Sequence, residues 1–517
     1  MRDDLGLSRR ALLGGAVAGA SGLLLPWGAA RAEDAAPRQG GTLRIGMDGG
    51  STTDTLDPTT WTAWNAVVIG FALFNALIEN GPDNKPVPEL AESWEAKPGA
   101  AEWVFNLRKG VHFTNGKEFD ADDAIYSLNL HRGPGNKSGA AGPMKAISDI
   151  KKLDTHQIQI VLSAADADLP YILSDYHVMM VPNGYKDWAR PVGTGAFTLE
   201  RFDPGVACSL KHNANYWKPG RGHLDAVQIT SIGDGSARLN ALLSGQVDVI
   251  NSVEPRTVDL IRKHGNLTVV QSPGGWHTVM PMMIDRAPYS DPNVRLALKH
   301  AIDREALLKA LFAGRGSLGN DHPIPRGDPY YDPNIPQTVY DPEKAKFYFN
   351  KAGNPTTPIL LQASDAAFNG AVNMALLFQA SAGKAGIKMT VKKEPADGFW
   401  DNVWLKGSFI TSYWGGRPAA TQMFGVAYKS DAPWNDSHWR QPAFDKLLAD
   451  ARAELDVAKR REYIWAMQQM LHDDGGVIIP VFKDWLDACS DKVGGLTPHA
   501  GFMLDNARIC EKAWLKV

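Results

Sequence analysis

Two stretches of the sequence carry the same order of signals, and that order restricts the fold more than any other feature. Residues 238–244 have the composition of a helix, close at Gly245 and run into Val247-Asp248-Val249-Ile250. Residues 459–471 repeat the pattern, closing at Gly475-Gly476 before Val477-Ile478-Ile479-Pro480-Val481. Glycine ends a helix by taking a left-handed conformation that a Cβ penalises, and a short β-branched run reads as a strand. A helix that turns straight back into a strand covers one face of a sheet, so an α/β chain is expected. Asp291-Pro292 and Asp341-Pro342 add two helix starts. Aspartate accepts from the free N–H groups of a first turn, and proline has no N–H to leave unpaired. The first start reads as one helix, with Val294, Leu298, Ala301, Ile302 and Leu308 on one stripe and Gly314 as its end; the second ends at Gly353. Strands are expected at 41–46 and, from the alternation of apolar and polar residues, at 103–107.

The 517 residues leave room for about two to four such folded units. Lys and Arg number 54 against 57 Asp and Glu, a formal charge of −3. The basic excess that a phosphate backbone demands is missing, so no nucleic-acid partner is expected. The sequence contains no G-x-S-x-G, H-E-x-x-H, C-x-x-C or G-x-x-x-x-G-K-[ST] pattern. No catalytic residue, cofactor or metal is therefore assigned. Cys208, Cys489 and Cys510 are odd in number, so at least one thiol is unpaired within the chain. Cys489 and Cys510 could pair, but buried free thiols are the expectation.

Residues 1–32 read as an export signal rather than as fold. Ser8-Arg9-Arg10 precedes an apolar stretch rich in Gly, Ala and Leu, and Ala30-Arg31-Ala32 offers small residues for cleavage. The triplet resembles the twin-arginine type, with Leu12 where that motif usually has Phe. The stretch is too short and glycine-rich for a stable membrane span. A periplasmic protein is expected.

Several segments, taken in order, carry a family resemblance. Pro88-Glu89-Leu90-Ala91-Glu92-Ser93-Trp94 precedes the strand at 103–107 and then Arg108-Lys109-Gly110-Val111-His112-Phe113-Thr114-Asn115-Gly116-Lys117. Ala121-Asp122-Asp123-Ala124, Pro191-Val192-Gly193-Thr194-Gly195-Ala196-Phe197 and Asn213-Ala214-Asn215-Tyr216-Trp217 follow, then Val294-Arg295-Leu296-Ala297-Leu298 leading to Ala301-Ile302-Asp303-Arg304-Glu305. Across nearly all of the chain after the leader, this resembles the family 5 solute-binding proteins of ABC importers, the dipeptide-, oligopeptide- and nickel-binding group. Most of these motifs are structural: Gly193 and Gly195 permit turns that a Cβ would obstruct, and Trp94, Phe105, Val111 and Phe113 supply buried area.

The resemblance implies a periplasmic binding protein-like fold of class II, cluster C type: two α/β lobes with a hinge and an extra inserted lobe. Lobe I would comprise 33–80, 183–287 and 484–517, the inserted lobe 81–182, and lobe II 288–483. The crossing between lobes is placed in 274–290 and the return in 484–492. Solute would be buried as the lobes close, then passed unaltered to membrane permease subunits with cytoplasmic ATPases. A monomer that performs no catalysis is implied.

In peptide binders of that family, a loop after a Trp-Gly pair carries an Asp that holds the peptide's ammonium. The comparable loop here is Tyr413-Trp414-Gly415-Gly416-Arg417-Pro418, with a guanidinium in place of the acid. Arg presents a planar fork suited to carboxylate or phosphate, which points to an anionic group on a peptide or related small solute. The alternative is that Arg417 pairs with a structural acid at the loop edge. Trp414, Gly415, Gly416 and Arg417 head the candidate ligand contacts. Trp276, Trp61, Trp400 and Trp404 are candidates as indole walls, each set against an ordinary core role. Asp321, His322 and His277 are candidates at the cleft mouth; the histidines keep a metal chelate open as ligand, and Asp285 or Asp321 a cationic one. Two competing readings remain: a twin-arginine-exported hydrolase or oxidoreductase, and a module that presents ligand to a membrane sensor.

Overall fold

The computed structural model describes residues 36–516; the expected leader at 1–32 lies outside them. Seven strands form the sheet of lobe I, in the order Leu267–Ser272, Trp485–Ser490, Val249–Ile250, Thr42–Met47, Ala226–Ser231, Ala207–His212, Phe197–Asp203. Thr42–Met47 is parallel to both its neighbours, which requires crossovers over the faces of the sheet. The helix Gly235–Leu243, capped by Asp234, makes one of them and leads into Val249–Ile250, as its glycine stop suggests. The apolar helix Trp64–Leu73 is buried along all but its first residue, packed in the core with Leu43, Ile45, Val227 and Leu210.

The inserted lobe is a four-stranded antiparallel sheet, ordered Ala91–Ala96, Glu102–Leu107, Gln157–Leu162, Ile147–Asp154. The helix Ala121–Asn129 packs with it, started by a capping box between Asp120 and Asp123. Phe105, Val111 and Phe113 are buried in its core, each stabilising by about 1.5–3 kcal/mol. Gly193 and Gly195 serve this junction in a way their sequence context conceals. A Cβ on Gly193 would lie 2.1 Å from the Leu73 carbonyl oxygen, and one on Gly195 2.4 Å from that of Ala72. Close backbone approach, rather than turn geometry, demands glycine here.

Lobe II holds a sheet ordered Gly316–Leu318, Val481–Lys483, His277–Pro281, Ser412–Trp414, with Val477–Ile478 also paired to His277–Pro281. A parallel pair, Ile359–Ala363 and Met389–Lys393, lies beside it. Asp341 caps Pro342–Lys351, which ends before Gly353 at a φ of 78°. The helix expected from Asp291 is instead two, Pro292–Ala301 and Arg304–Phe312. Ile302 turns to extended backbone, and Asp303 accepts from the Ala306 N–H at 2.9 Å, starting a second helix within the apolar stripe.

The chain passes from the first sheet to the second between Ser272 and His277, and returns between Lys483 and Trp485. The strand His277–Pro281 is thus the first in the chain to pair within the second sheet. The two crossings run side by side: the Lys483 N–H donates to the Trp276 carbonyl at 2.9 Å. A Cβ on Gly274 would lie 2.3 Å from the Lys483 carbonyl oxygen.

After its return the chain completes lobe I. Leu504, Asp505, Asn506 and Ala507 form a left-handed turn, with φ of 52°, 56°, 60° and 60°, at about 1–2 kcal/mol per residue. Asp487 accepts from the Leu504 N–H at 2.6 Å and Asp505 from the Lys512 ammonium at 2.6 Å, which hold it. Just beyond, Arg508 forks onto Glu89 at 2.7 and 2.8 Å and reaches Glu511 at 2.9 Å. Glu79, Lys218 and Arg221 complete this buried network. All three cysteines are buried and free.

Candidate functional site

The crossing strands place the candidate site, because residues beside them belong to both lobes. Strand pairing sets Thr278 opposite Tyr413 and His277 opposite Trp414. Period-2 alternation therefore sends Tyr413 and Trp414 to opposite faces. Trp414 goes inward, 6% exposed, among Val279, Met423 and Phe482. Tyr413 goes outward, 37% exposed, and its ring stacks on Trp276 at 5.4 Å and 22°. Trp400, 39% exposed, meets Tyr413 edge-on at 5.9 Å. Trp404 follows at 5.7 Å from Trp400, Trp434 at 6.1 Å from Trp404, and Trp414 at 5.8 Å from Trp434. The result is a continuous run of aromatic rings from the hinge across lobe II. Asp436 is buried against Trp404 and Trp414, and burial pushes its carboxyl up to about 7.

Gly415, Gly416 and Arg417 form the loop that follows. A Cβ on Gly416 would lie 2.9 Å from the Gly275 Cα, so this loop packs directly on the first crossing segment. The Arg417 guanidinium is half-buried, and its Nη1 donates to the Gly415 and Gly416 carbonyls at 3.3 Å each. Among the described residues it makes no ion pair, so no acid at the loop edge is bonded to it. Burial lowers its pKa against the opposing fields of Tyr176 and Asp175 in the inserted lobe and Tyr413 on its own wall.

The other sequence candidates lie elsewhere. Trp61 is 2% exposed in the lobe I core, donates to the Thr55 carbonyl at 3.1 Å and covers Gly70, which leaves no face for a solute. His277 is fully buried against Phe482, shares a hydrogen bond of 2.9 Å with the Gly275 carbonyl, and is lowered by burial to about 4. His322 is buried near Tyr331 and lowered by burial to about 3. Asp321 is fully buried, accepts both Arg304 bonds at 2.8 Å and takes the Ile479 N–H at 2.9 Å, so its oxygens serve the fold. Asp285 pairs with His438 at 2.9 Å. Among the described residues, no group of three or more His, Cys, Asp or Glu is placed to hold a metal ion.

Tyr413, Trp434, Lys483 and the inserted-lobe pair Asp175 and Tyr176 escaped the sequence reading. Tyr413 was within reach of it: in any strand through 412–414, only one of two adjacent aromatics faces outward. The inserted lobe also meets lobe II directly. Asp168 pairs with Arg460 at 2.5 Å, both buried, and accepts from the Thr421 hydroxyl, while the Ala167 N–H donates to the Arg452 carbonyl at 2.7 Å. Two surface hollows, of about 240 and 370 Å³, are lined by lobe II residues alone and do not bridge the lobes.

Residues 85–436 match the model of the bacterial extracellular solute-binding proteins, family 5, middle region. The chain is 28% identical over 445 residues to di/tripeptide-binding protein 1 of Pseudomonas aeruginosa (strain UCBPP-PA14), covering 78% of this chain and 81% of that one. Among solved structures, HbpA2 from Haemophilus parasuis superposes with a TM-score of 0.82 at 20% identity, over 92% of this chain and 100% of its own. The PBP AgaA in complex with agropinic acid, from A. tumefacien R10, does so with a TM-score of 0.74 at 26% identity, over 92% and 99%. These neighbours share the two-lobed α/β fold described above. No helix among the described residues is long and apolar enough to cross a membrane. The chain belongs to the bacterial extracellular solute-binding proteins of family 5, and is a binding protein rather than an enzyme.

Proposed function

We propose that this protein is the periplasmic substrate-binding component of an ABC importer, exported by the twin-arginine route, and that it captures a peptide or related small organic solute bearing an anionic group. The observation that carries this reading is Arg417. It stands beside the hinge on a loop packed against the crossing strand, with most of its donors unused by the protein. A guanidinium recovers the cost of partial burial when a carboxylate or phosphate completes its hydrogen bonds. The peptide-binding relatives and the agropinic acid complex support a small organic solute. Closure follows from differential affinity: with lobes I and II together about the hinge, a solute touches both walls of the cleft, and it touches one when they part. Release would follow docking on membrane permease subunits, with no bond made or broken in the solute.

Native mass spectrometry of the exported protein, followed by thermal-shift titration with the solute it carries, tests the reading. A bound acidic solute is expected, stabilising by about 2.7 kcal/mol at a hundredfold excess over Kd. Arg417→Ala should abolish most of that shift and leave the unliganded midpoint within about 0.5 kcal/mol of the parent, since the side chain supports only two long bonds to its own loop. Retained affinity in that variant would remove the anionic-group argument.

A further inference from the structure

Arg417 is one of two cations on this wall. Lys483 ends the returning strand, and its ammonium lies 6.0 Å from the centre of the Trp276 ring. Among the described residues, that ammonium pairs with no carboxylate and donates no hydrogen bond. Burial lowers its pKa against the fields of Glu254 and Asp48 in lobe I. Of the acids whose fields reach the two cations, two already have donors of their own and one is open to solvent. Asp175 accepts from the His177 backbone N–H at 2.9 Å and shares a 2.6 Å bond with the ring Nδ1; Asp48 accepts from the Asn251 amide. Glu254 is exposed to water. The free donors near the hinge thus belong to two half-buried cations, and an anionic solute is the acceptor that would satisfy them once water is excluded.

The Trp276–Tyr413 stack, with the Trp400 edge against it, adjoins both: the Lys483 ammonium lies 6.0 Å from the Trp276 ring, and the Arg417 loop follows the Tyr413 strand and packs on Gly275. We infer that Lys483 is a second anionic anchor and that the solute is a diacid, one acidic group held by the Arg417 fork and the other by the Lys483 ammonium, with its body lying along the Tyr413 and Trp276 rings. This inference rests on the capture reading and deepens it by fixing the charge of the cargo. Arg supplies a planar, two-pronged contact and Lys a point charge, so the two ends of the solute are recognised differently. The aromatic rings favour a flat or apolar linker over a hydrated one.

A matched series tests this with the full exported chain: N-benzoyl-glutamate with two carboxylates, N-benzoyl-glutamine with one, and N-benzoyl-glutamine amide with none. Calorimetric titration should give the diacid about tenfold or greater advantage over the monoacid. Lys483→Met should reduce that advantage to near unity while leaving monoacid affinity in place, and Lys483→Arg should restore it. Because Lys483 makes no hydrogen bond through its ammonium, the melting midpoint of the Met variant should match the parent and exclude misfolding. Equal affinity for diacid and monoacid, an advantage that survives Lys483→Met, or no binding of the diacid would each overturn the second anchor. The capture reading would still be judged separately, by whether the natively carried solute stabilises the protein.

Discussion

Arg508→Met tests whether buried charge or apolar packing holds the C-terminal segment on lobe I. The guanidinium is 1% exposed, lies 4.5 Å from the centre of the Phe71 ring, and forks onto the fully buried Glu89. Around it Glu79, Glu89 and Glu511 face Lys218, Arg221 and Arg508, so the site is neutral. Methionine keeps much of the contact with Phe71 but leaves one carboxylate in excess. Breaking a buried ion pair from one side costs about 3–5 kcal/mol, whereas replacing both partners by uncharged groups is often close to neutral. Urea denaturation followed by tryptophan fluorescence should therefore show a loss of about 3–5 kcal/mol for Arg508→Met. Adding Glu89→Gln should recover most of it.

The pH dependence gives an independent sign. Burial alone would raise the Glu511 carboxyl, but the Lys218 and Arg508 charges outweigh it and hold it down to about 2. Its contribution in the parent is present above the ordinary glutamate range and is lost only as pH falls toward 2. Without Arg508 the neighbouring carboxyls rise, so the variant's deficit should be largest near neutral pH. It should narrow toward about pH 5, as a proton takes the place of the arginine. A deficit below about 1 kcal/mol, or one that does not change with pH, refutes the reasoning.

Asp168→Asn should open the contact between the inserted lobe and lobe II, because it strands Arg460 in the closed arrangement while the open one returns it to water. Small-angle scattering of the unliganded variant should show a larger radius of gyration than the parent, and an unchanged value contradicts the expectation. Burial pushes Asp328, Asp436 and Asp487 each up to about 7. The folded chain then holds these protons more tightly than the unfolded one, so stability falls as pH rises from the ordinary aspartate range to about 7, by up to about 4 kcal/mol per pH unit for three such groups, and levels off above it. The thermal midpoint should fall between about pH 5 and about pH 7 and level off above it; a midpoint flat between those values counts against it.

Local chemistry was legible along the chain, and long-range placement was not. Asp291 and Asp341 cap helices as their Asp-Pro context implies, because a cap needs only its own first turn. The break at Ile302 was hidden because Asp303 sits within a stripe that continues on either side. The loop from Trp414 to Arg417 was singled out through its likeness to a family pattern, and its Gly416 packs on Gly275 in the first crossing. Trp61 and Trp400 look alike as residues, yet one closes over Gly70 in a core and the other stands exposed in an aromatic run. Only contacts between segments far apart in sequence decide that difference. Lys483 escaped for the same reason: its relation to Trp276 comes from the two crossing segments, about 200 residues apart in the chain.

The last strands and turns have a bearing on how the chain is made. Trp485–Ser490 fills the gap between Leu267–Ser272 and Val249–Ile250, and Arg508 supplies the charge that Glu89 awaits from early in the chain. Until residues 485–511 are made, lobe I has a slot in its sheet, and Glu89 lacks the forked partner that Arg508 provides. Its assembly must therefore wait for that segment, and a chain truncated before Trp485 should leave the other strands of this sheet open to protease.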